Sequence, residues 1–288
     1  MHTPVLLKEA IDGLNIKKEG LYIDATVGEG GHLIEIAKKG GKVLGIDLDE
    51  EQISNIKYQI SKSEFLKNIK LVSGNFADIE TIARKNKFYP VAGVLFDLGL
   101  SLEQIQKSGR GFSYRKLEES LDMRIDTRIT TTAADLVNSL NQNQIYEILA
   151  RYGEEINSLA ISRAIIRARS LKKINTVGHL IEIIDRTTGK KDSRTYARVF
   201  QALRIAVNDE LEKLKKGLAG TLRILKDQGR IVVISFHSLE DRIVKQFIKK
   251  NKLKQLNKKV INSRHGLEFA RSAKLRIINV PHPQGVTQ

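Results

Sequence analysis

Residues 24–32 read Asp-Ala-Thr-Val-Gly-Glu-Gly-Gly-His, and an apolar run closing in Gly45-Ile46-Asp47-Leu48-Asp49 follows. This pairing restricts the fold more than anything else in the chain. A glycine-rich turn directly after a strand lets backbone approach a ligand, and an acidic residue ending the next strand can grip ribose hydroxyls. Gly28 and Asp47 stand 19 positions apart, close to the ~20 expected of a strand–turn–helix–strand unit.

The surrounding sequence repeats that unit. Strands are predicted over 21–25, 42–46, 69–72 and 91–96, and helices over 32–39, from the acidic turn after Asp47 to about residue 60, and over 77–85. The run at 91–96 is apolar throughout, as when both faces of a strand are covered. Strands alternating with helices imply a parallel, doubly wound sheet. From about residue 102 to about 228 the periodicity is almost wholly helical, with candidates at 132–140, 143–151, 156–169, 177–186 and a long stretch from Arg194. In the third of these, Ile156, Leu159, Ala160, Ala164 and Ile165 are expected to share one buried face. Arg163, Arg167 and Arg169 fall on the other side and at its end. A helix over 218–226, a turn at Gly229 and a strand over 230–236 then restore the earlier pattern. Ser238–Asp241 reads as a capping box opening a helix to about residue 250, and a last strand is expected at 273–280. The fold class is therefore α/β: a Rossmann-like sheet domain, residues 1–103 and 209–288, interrupted by an all-helical insertion, residues 104–208. Only four prolines and no long Gly/Ser tract occur, which argues against a flexible linker between them.

Charge narrows the partners. The chain carries 49 Lys+Arg against 33 Asp+Glu, a formal +16. A field of that sign attracts polyanions, and Lys/Arg contacts to phosphates release counterions from nucleic acid. The absence of cysteine removes disulfides, thiolate nucleophiles and Cys-ligated metal centres. The six histidines show no ligand spacing, so no metal site is expected. No G-x-S-x-G elbow accompanies His237 and Ser238, which leaves serine hydrolysis without support. The first residues lack the basic and apolar regions of a signal peptide, and no apolar run approaches the ~20 residues of a membrane span. A cytoplasmic location is expected.

A dinucleotide cofactor suits the loop poorly. The third glycine of G-x-G-x-x-G would fall at Leu33, and Glu29 and Asp24 would repel a pyrophosphate. A ligand with a ribose and cationic centres but no phosphate fits better, and S-adenosylmethionine has both. Three further positions follow strand ends, where open parallel sheets hold ligands. Phe76 follows the third strand and can flank an adenine; Asp97 closes the fourth; Gln104, seven residues on, offers an amide. A nicotinamide-dependent dehydrogenase, and an RNA-binding assembly factor with a vestigial cofactor fold, remain as alternatives.

Longer words carry a resemblance. His2–Glu9, the Asp24–His32 loop, Gly45–Asp49, Phe96-Asp97-Leu98-Gly99 and Arg110-Gly111-Phe112-Ser113-Tyr114 resemble the ribosomal RNA small subunit methyltransferase H family, the 16S rRNA cytidine-N4 methyltransferases. Leu121-Asp122-Met123-Arg124, residues 134–138, residues 198–208, residues 235–242 and residues 271–276 extend it over nearly the whole chain. The resemblance implies a class I S-adenosylmethionine methyltransferase acting on the exocyclic N4 amine of one cytidine in the decoding region of 16S rRNA within the small ribosomal subunit. It implies donor binding by Gly30, Gly31, His32, Asp47, Phe76, Asp97 and Gln104, the weight on His32 coming from the resemblance alone. Asp97 and His237, after the fourth and fifth strands, are the candidates to handle the amine's proton. Leu121-Asp122-Met123-Arg124 and residues 198–208, Arg204 among them, are expected to frame the cleft and grip RNA phosphates, with ordinary helix packing as the alternative. The chain departs from the family pattern at Leu100–Gln104, which lacks its second serine and proline, and over 262–271. A homodimer is left open.

Overall fold

The computed structural model describes residues 4–262 and 272–281. His2, Thr3, His265, His282 and most of the divergent 262–271 run lie outside them. The chain forms two compact units, Met1–Gly99 with Leu211–Gln288, and Leu100–Glu210.

The first unit is a sheet covered on both faces. After α1 (Leu7–Leu14) come β1 (Leu21–Asp24), α2 (Gly31–Lys38), β2 (Lys42–Asp47), α3 (Glu50–Ile60), β3 (Ile69–Ser73), α4 (Ile79–Lys85) and β4 (Val91–Asp97). The strands run in the order β3-β2-β1-β4 and are mutually parallel. Sequence order reverses between β1 and β4, which leaves a crevice beyond their carboxyl ends. Asp24 ends β1, Asp47 ends β2 and Asp97 ends β4, so three carboxylates reach one edge. Apolar residues of β1, β2 and β4 alternate between a core beneath α1 and α2 and a second core on the opposite face. Both faces are dry, as a parallel sheet requires.

The chain returns to this unit through α11 (Glu210–Leu222), β5 (Leu225–Ser235) and α12 (Ser238–Lys250), and ends on β8 (Lys274–Asn279). β5 pairs in parallel with β4, and β8 lies antiparallel on β5. Two short strands, β6 (Lys254–Gln255) and β7 (Ile261–Asn262), line the outer side of β8. The helix expected at 218–226 begins and ends earlier, and Gly229 lies inside β5 rather than between elements. Val91 pairs with Leu225 and Gly93 with Arg230, so residues 226–229 bulge opposite Ala92, with Gln228 at φ 60°. The turn chemistry is real, but it serves a bulge.

The second unit contains α5 (Leu102–Lys107), α6 (Ala133–Ser139), α7 (Gln142–Gly153), α8 (Ser158–Leu171), α9 (Val177–Thr188) and α10 (Ser193–Asn208) around its own apolar core. Side chains close the starts of several: Thr132, Asn141 and Thr176 each accept a backbone N–H from the first turn, satisfying donors that the helix itself leaves unpaired. The expected buried face of α8 is corrected. Ile156 precedes the helix and is 88% exposed, Leu159 is 44% exposed, and the buried stripe is Ser158, Ile161, Ser162 and Ile165. Ser162 can face the core because its Oγ donates to the Leu159 carbonyl at 3.0 Å, which removes the cost of burying a hydroxyl. Among the described residues no helix is long and apolar enough to cross a membrane.

Candidate active site

The glycine loop is held by its neighbours before it meets any ligand. The Ala25 N–H donates to Leu95 O on β4 at 2.9 Å, and the Val27 N–H to Ile46 O on β2 at 3.2 Å. Gly30 opens α2 at φ 82°, a conformation that disfavours any residue with a Cβ. A Cβ on Gly31 would stand 2.1 Å from Pro4 Cγ. Leu33, at the place of a third dinucleotide glycine, is wholly buried. The close helix–strand approach is supplied from the other side: a Cβ on Gly45 of β2 would meet Leu33 Cδ1 at 2.4 Å.

Three acids surround this loop in different ways. Asp47 accepts the Gly28 N–H at 2.8 Å on Oδ2 and the Asp49 N–H at 3.0 Å on Oδ1, while burial raises its pKa. Asp24 is 1% exposed. Its Oδ1 takes the Thr26 N–H at 3.3 Å, and its Oδ2 has no hydrogen-bond partner. Burial, then the nearby charges of Asp97 and Asp47, carry its pKa well above the ordinary carboxylate range. Asp97 is fixed through its backbone, whose N–H donates to Thr26 Oγ1 at 2.6 Å. Its Oδ1 has no partner. Burial first, and the Glu240 carboxylate second, push its pKa up to about 7.

His32 stands beside them, Nδ1 3.6 Å from Asp97 Oδ2. Burial pulls its pKa down to about 4, so near neutrality the ring is uncharged and that approach is not an ion pair. Its Nε2 is also without a partner. Leaving a buried polar atom unpaired costs about 1–3 kcal/mol, and three of them cluster here with no Lys or Arg paired to the acids among the described residues. A ligand that brings positive charge and hydrogen-bond donors satisfies that deficit, as the sulfonium and ammonium of S-adenosylmethionine do. A pyrophosphate worsens it.

The remaining expected residues separate. Phe76 is half-buried, edge-on to Phe96 at 5.8 Å between ring centroids, and a Cβ on Gly217 would sit 2.8 Å from its ring. It packs in the sheet unit's second core as well as following β3. Gln104 belongs to the helical unit, where its Oε1 accepts the Ser101 N–H at 3.0 Å in a capping box. The box expected at Ser238–Asp241 lies one residue earlier: His237 is the N-cap and Glu240 the third helical residue. Glu240 Oε2 accepts the Phe236 N–H at 2.7 Å, and Glu240 Oε1 lies 3.1 Å from His237 Nε2. Sequence reasoning gave Glu240 no part in the site. Its signal was the spacing of three from His237, hidden by assigning the cap to Ser238. Thr26, which holds the Asp97 backbone, carries no local signal because its partner is 71 residues away.

In the helical unit the expected RNA-gripping residues are engaged with each other. Arg124 holds Asp122 through Nε–Oδ1 at 2.7 Å and Nη2–Oδ2 at 2.8 Å. Arg204 holds Glu210 through Nε and Nη2 at 2.8 and 3.0 Å. Asn208 donates to Met123 O at 2.7 Å and accepts the Ile125 N–H at 2.8 Å, clamping the end of α10 onto the 123–125 segment.

Sheet order, glycine loop and uncompensated acids define an α/β transferase with a nucleoside-type, cationic donor. The family follows from sequence comparison: the chain belongs to the MraW methylase family, whose model matches residues 1–280. It is similar to the ribosomal RNA small subunit methyltransferase H of Cytophaga hutchinsonii, 45% identical over 87% of this chain and 83% of that one. It is also similar to the proteins of that name from Coprothermobacter proteolyticus, at 40% identity over 96% of this chain and 95% of the other, and Dictyoglomus thermophilum, at 41% over 96% of both. The chain is an S-adenosylmethionine-dependent methyltransferase.

Proposed function

We propose that this enzyme methylates the exocyclic N4 amine of one cytidine in the decoding region of 16S rRNA, in the cytoplasm, on the small ribosomal subunit. The observation that carries the reading is the group of unpaired carboxyl oxygens, Asp24 Oδ2 and Asp97 Oδ1, beside the glycine loop. In this reading Gly30, Gly31 and His32 line the donor's methionine part, Asp47 takes its ribose, Phe76 borders its adenine, and Gln104 contributes from the helical insertion. When bound, the donor supplies an electrophilic methyl on a sulfonium. Residues 104–208 serve as the substrate-reading insertion on a sheet domain of residues 1–103 and 209–288.

The N4 amine is a poor nucleophile because its lone pair is delocalised into the ring. Holding it in line at near-attack distance supplies much of the rate. Accepting its proton supplies more. Asp97 and His237 are the groups for that work: Asp97 with a pKa of about 7 is poised between acceptor and donor, and His237, whose Nδ1 accepts the Glu240 N–H at 3.4 Å, keeps a buried Nε2 without a hydrogen-bond partner. The target base must be unstacked or presented from a single-stranded loop to reach such a pocket.

The test uses small subunits from cells lacking the gene, incubated with purified protein and labelled S-adenosylmethionine. Digestion of the rRNA and mass spectrometry should find label in N4-methylcytidine at one decoding-region position. Label in another nucleoside overturns the acceptor assignment. Donor binding with no label on any RNA overturns it in favour of a vestigial assembly factor.

A further inference from the structure

From Arg242 to Asn262 the sequence holds eight Lys or Arg and no Asp or Glu. The segment belongs entirely to the sheet unit: the outer part of α12, then β6 and β7 along β8. Some surface lysines elsewhere sit against an acid, as Lys42 does on Glu19 at 2.8 Å and Lys116 on Glu119 at 3.0 Å; what sets this segment apart is the density of its cations with no acid among them. Lys249, Lys250, Lys252, Lys254, Lys258 and Lys259 are all exposed, and among the described residues none forms an ion pair. Lys249 and Lys250 gain from the carboxyl end of α12, which favours cations in its last turn. The other four have no such compensation, and six like charges in eleven residues repel one another.

The backbone carrying them is pinned. Lys254 pairs with Asn279 and Ile261 with Leu275 of β8. Between those pairs Asn257 accepts the Ile277 N–H at 2.9 Å and donates to Leu275 O at 3.0 Å. The segment therefore climbs β8 from its Asn279 end to Lys274, and Lys274 pairs with Ser235 at the carboxyl end of β5. That end belongs to the sheet edge carrying Asp24, Asp47 and Asp97. Six strand residues span about 20 Å, room for several consecutive phosphates of a single strand. Repelling lysines on a fixed backbone suit a partner that brings regularly spaced negative charge.

We propose that this ridge is a docking track for the RNA phosphate backbone, leading along the sheet edge toward the methylation site. The proposal rests on the rRNA reading above. It assigns no base recognition to the ridge, because lysine heads read charge and not sequence.

The test measures binding of a decoding-region rRNA fragment across a salt series, with donor affinity and single-turnover methyl transfer at saturating RNA measured in parallel. The Lys252→Gln/Lys258→Gln/Lys259→Gln variant should weaken binding about tenfold at 0.1 M salt and lower the log–log salt slope by ~2, at ~0.7 per lost phosphate contact. Donor affinity and saturated transfer should stay within about threefold. Lys249→Gln/Lys250→Gln should lower the slope by ~1.4 on the same reasoning. Lys57→Gln/Lys62→Gln/Lys67→Gln removes the same charge from the α3 side of the sheet and should leave the slope unchanged. Equal losses in the ridge and α3 triples would reduce the effect to net charge and overturn the track, as would unchanged slopes in both ridge variants. A wild-type protein that fails to bind or methylate any rRNA overturns the acceptor assignment, and the track with it. One that methylates normally while the ridge variants match it overturns the track alone.

Discussion

The two units treat charge in opposite ways. The helical unit holds 18 Lys or Arg and 14 Asp or Glu, the sheet unit 31 and 19, so most of the positive excess lies on the sheet unit. The helical unit turns many of its arginines inward. Arg110 donates to Arg124 O at 2.7 Å, Arg169 to Val137 O and Leu140 O at 2.8 and 2.6 Å, and Arg198 to Glu155 at 2.7 Å. These fork-shaped donors tie irregular chain to helices, which a lysine cannot do as well. The sheet unit also buries one such pair, Arg276 on Asp241 at 2.6 Å, but it alone combines a dense run of unpaired lysines outside with unpaired carboxyl oxygens inside. Unsatisfied groups cost stability, and they persist where a ligand completes them. The comparison separates charge that holds the fold from charge kept for partners.

The sharpest way to break it is at Asp97. Asp97→Ala should lose more than ~100-fold in methyl transfer at saturating rRNA, within the range of acid–base and positioning groups. Its thermal stability should hold or rise, because a buried carboxyl with an unpaired oxygen leaves. Near-wild-type turnover removes Asp97 from the site. A marked fall in melting temperature with turnover intact makes it a fold residue, and the contrast fails on the sheet side.

The reverse experiment belongs to the helical unit. Glu155 is 3% exposed and receives the Asn157 N–H at 2.8 Å and Arg198 Nε at 2.7 Å. Breaking a buried ion pair by removing one partner costs ~3–5 kcal/mol, and the partial exposure of Arg198 lowers that to about 2–3. Arg198→Met should show that loss in chemical denaturation while the salt slope of rRNA binding stays at its wild-type value. A normal denaturation midpoint with a reduced slope would return Arg198 to RNA contact.

Much of this was legible in the sequence, and the exceptions share a cause. The strands ending in Asp24, Asp47 and Asp97 follow from apolar runs and the spacing of a glycine turn, all local signals. The family words at 121–124 and 198–208 were equally visible, but their use was not. Arg198 meets Glu155 from 43 residues away, and Asn208 meets Met123 from 85, so nothing nearby distinguishes a girder from an RNA clamp. Gly45 taking over the close approach expected of a third glycine is a fact of three dimensions. The buried face of α8 includes Ser162, whose polarity gives no sign of burial because the bond that permits it, to the Leu159 carbonyl, forms only in the folded helix. The basic run after Asp241 was plain in composition, and only its course along β8 gives it a direction.

A pH series tests the sheet unit more gently. Asp97 has a pKa raised from 3.8 to about 7, so it binds a proton that a cationic donor must displace. Donor affinity should rise with pH up to about 7 and level off above, by at most ~tenfold per pH unit, or 1.36 kcal/mol. Calorimetry in buffers of different ionisation enthalpy reads the released proton directly. For the unliganded protein, Asp97 contributes stability that is present at acid pH and lost as pH rises through about 7. His32, lowered from 6.5 to about 4, contributes stability present above 6.5 and lost as pH falls through 4. The two slopes oppose each other between about 4 and 6.5. Asp97→Asn removes the Asp97 share of the opposing slope while the raised Asp24 and Asp47 keep theirs, so over that window stability should rise more, or fall less, with pH than in the wild type. A donor affinity flat from pH 6 to 8 would mean that Asp97 does not meet the donor's charge.

The smallest expected effect decides how complete the division of charge is. On α8, Arg163 and Arg167 are exposed and, among the described residues, unpaired, unlike Arg169 at the end of the same helix. They stand beside the exposed Leu159, on a face that a polyanion can approach. If the helical unit reads substrate as well as the ridge does, Arg163→Gln/Arg167→Gln should lower the salt slope by at most ~1.4, two contacts at ~0.7 each, with stability unchanged. Combined with the ridge triple the losses should add, because sites without shared partners behave independently. A reduced slope makes α8 a second, weaker hold on the same strand and confines the helical unit's internal use of charge to its buried arginines. An unchanged slope gives the phosphate track to the sheet unit alone, and leaves the helical unit to act through shape and base contacts.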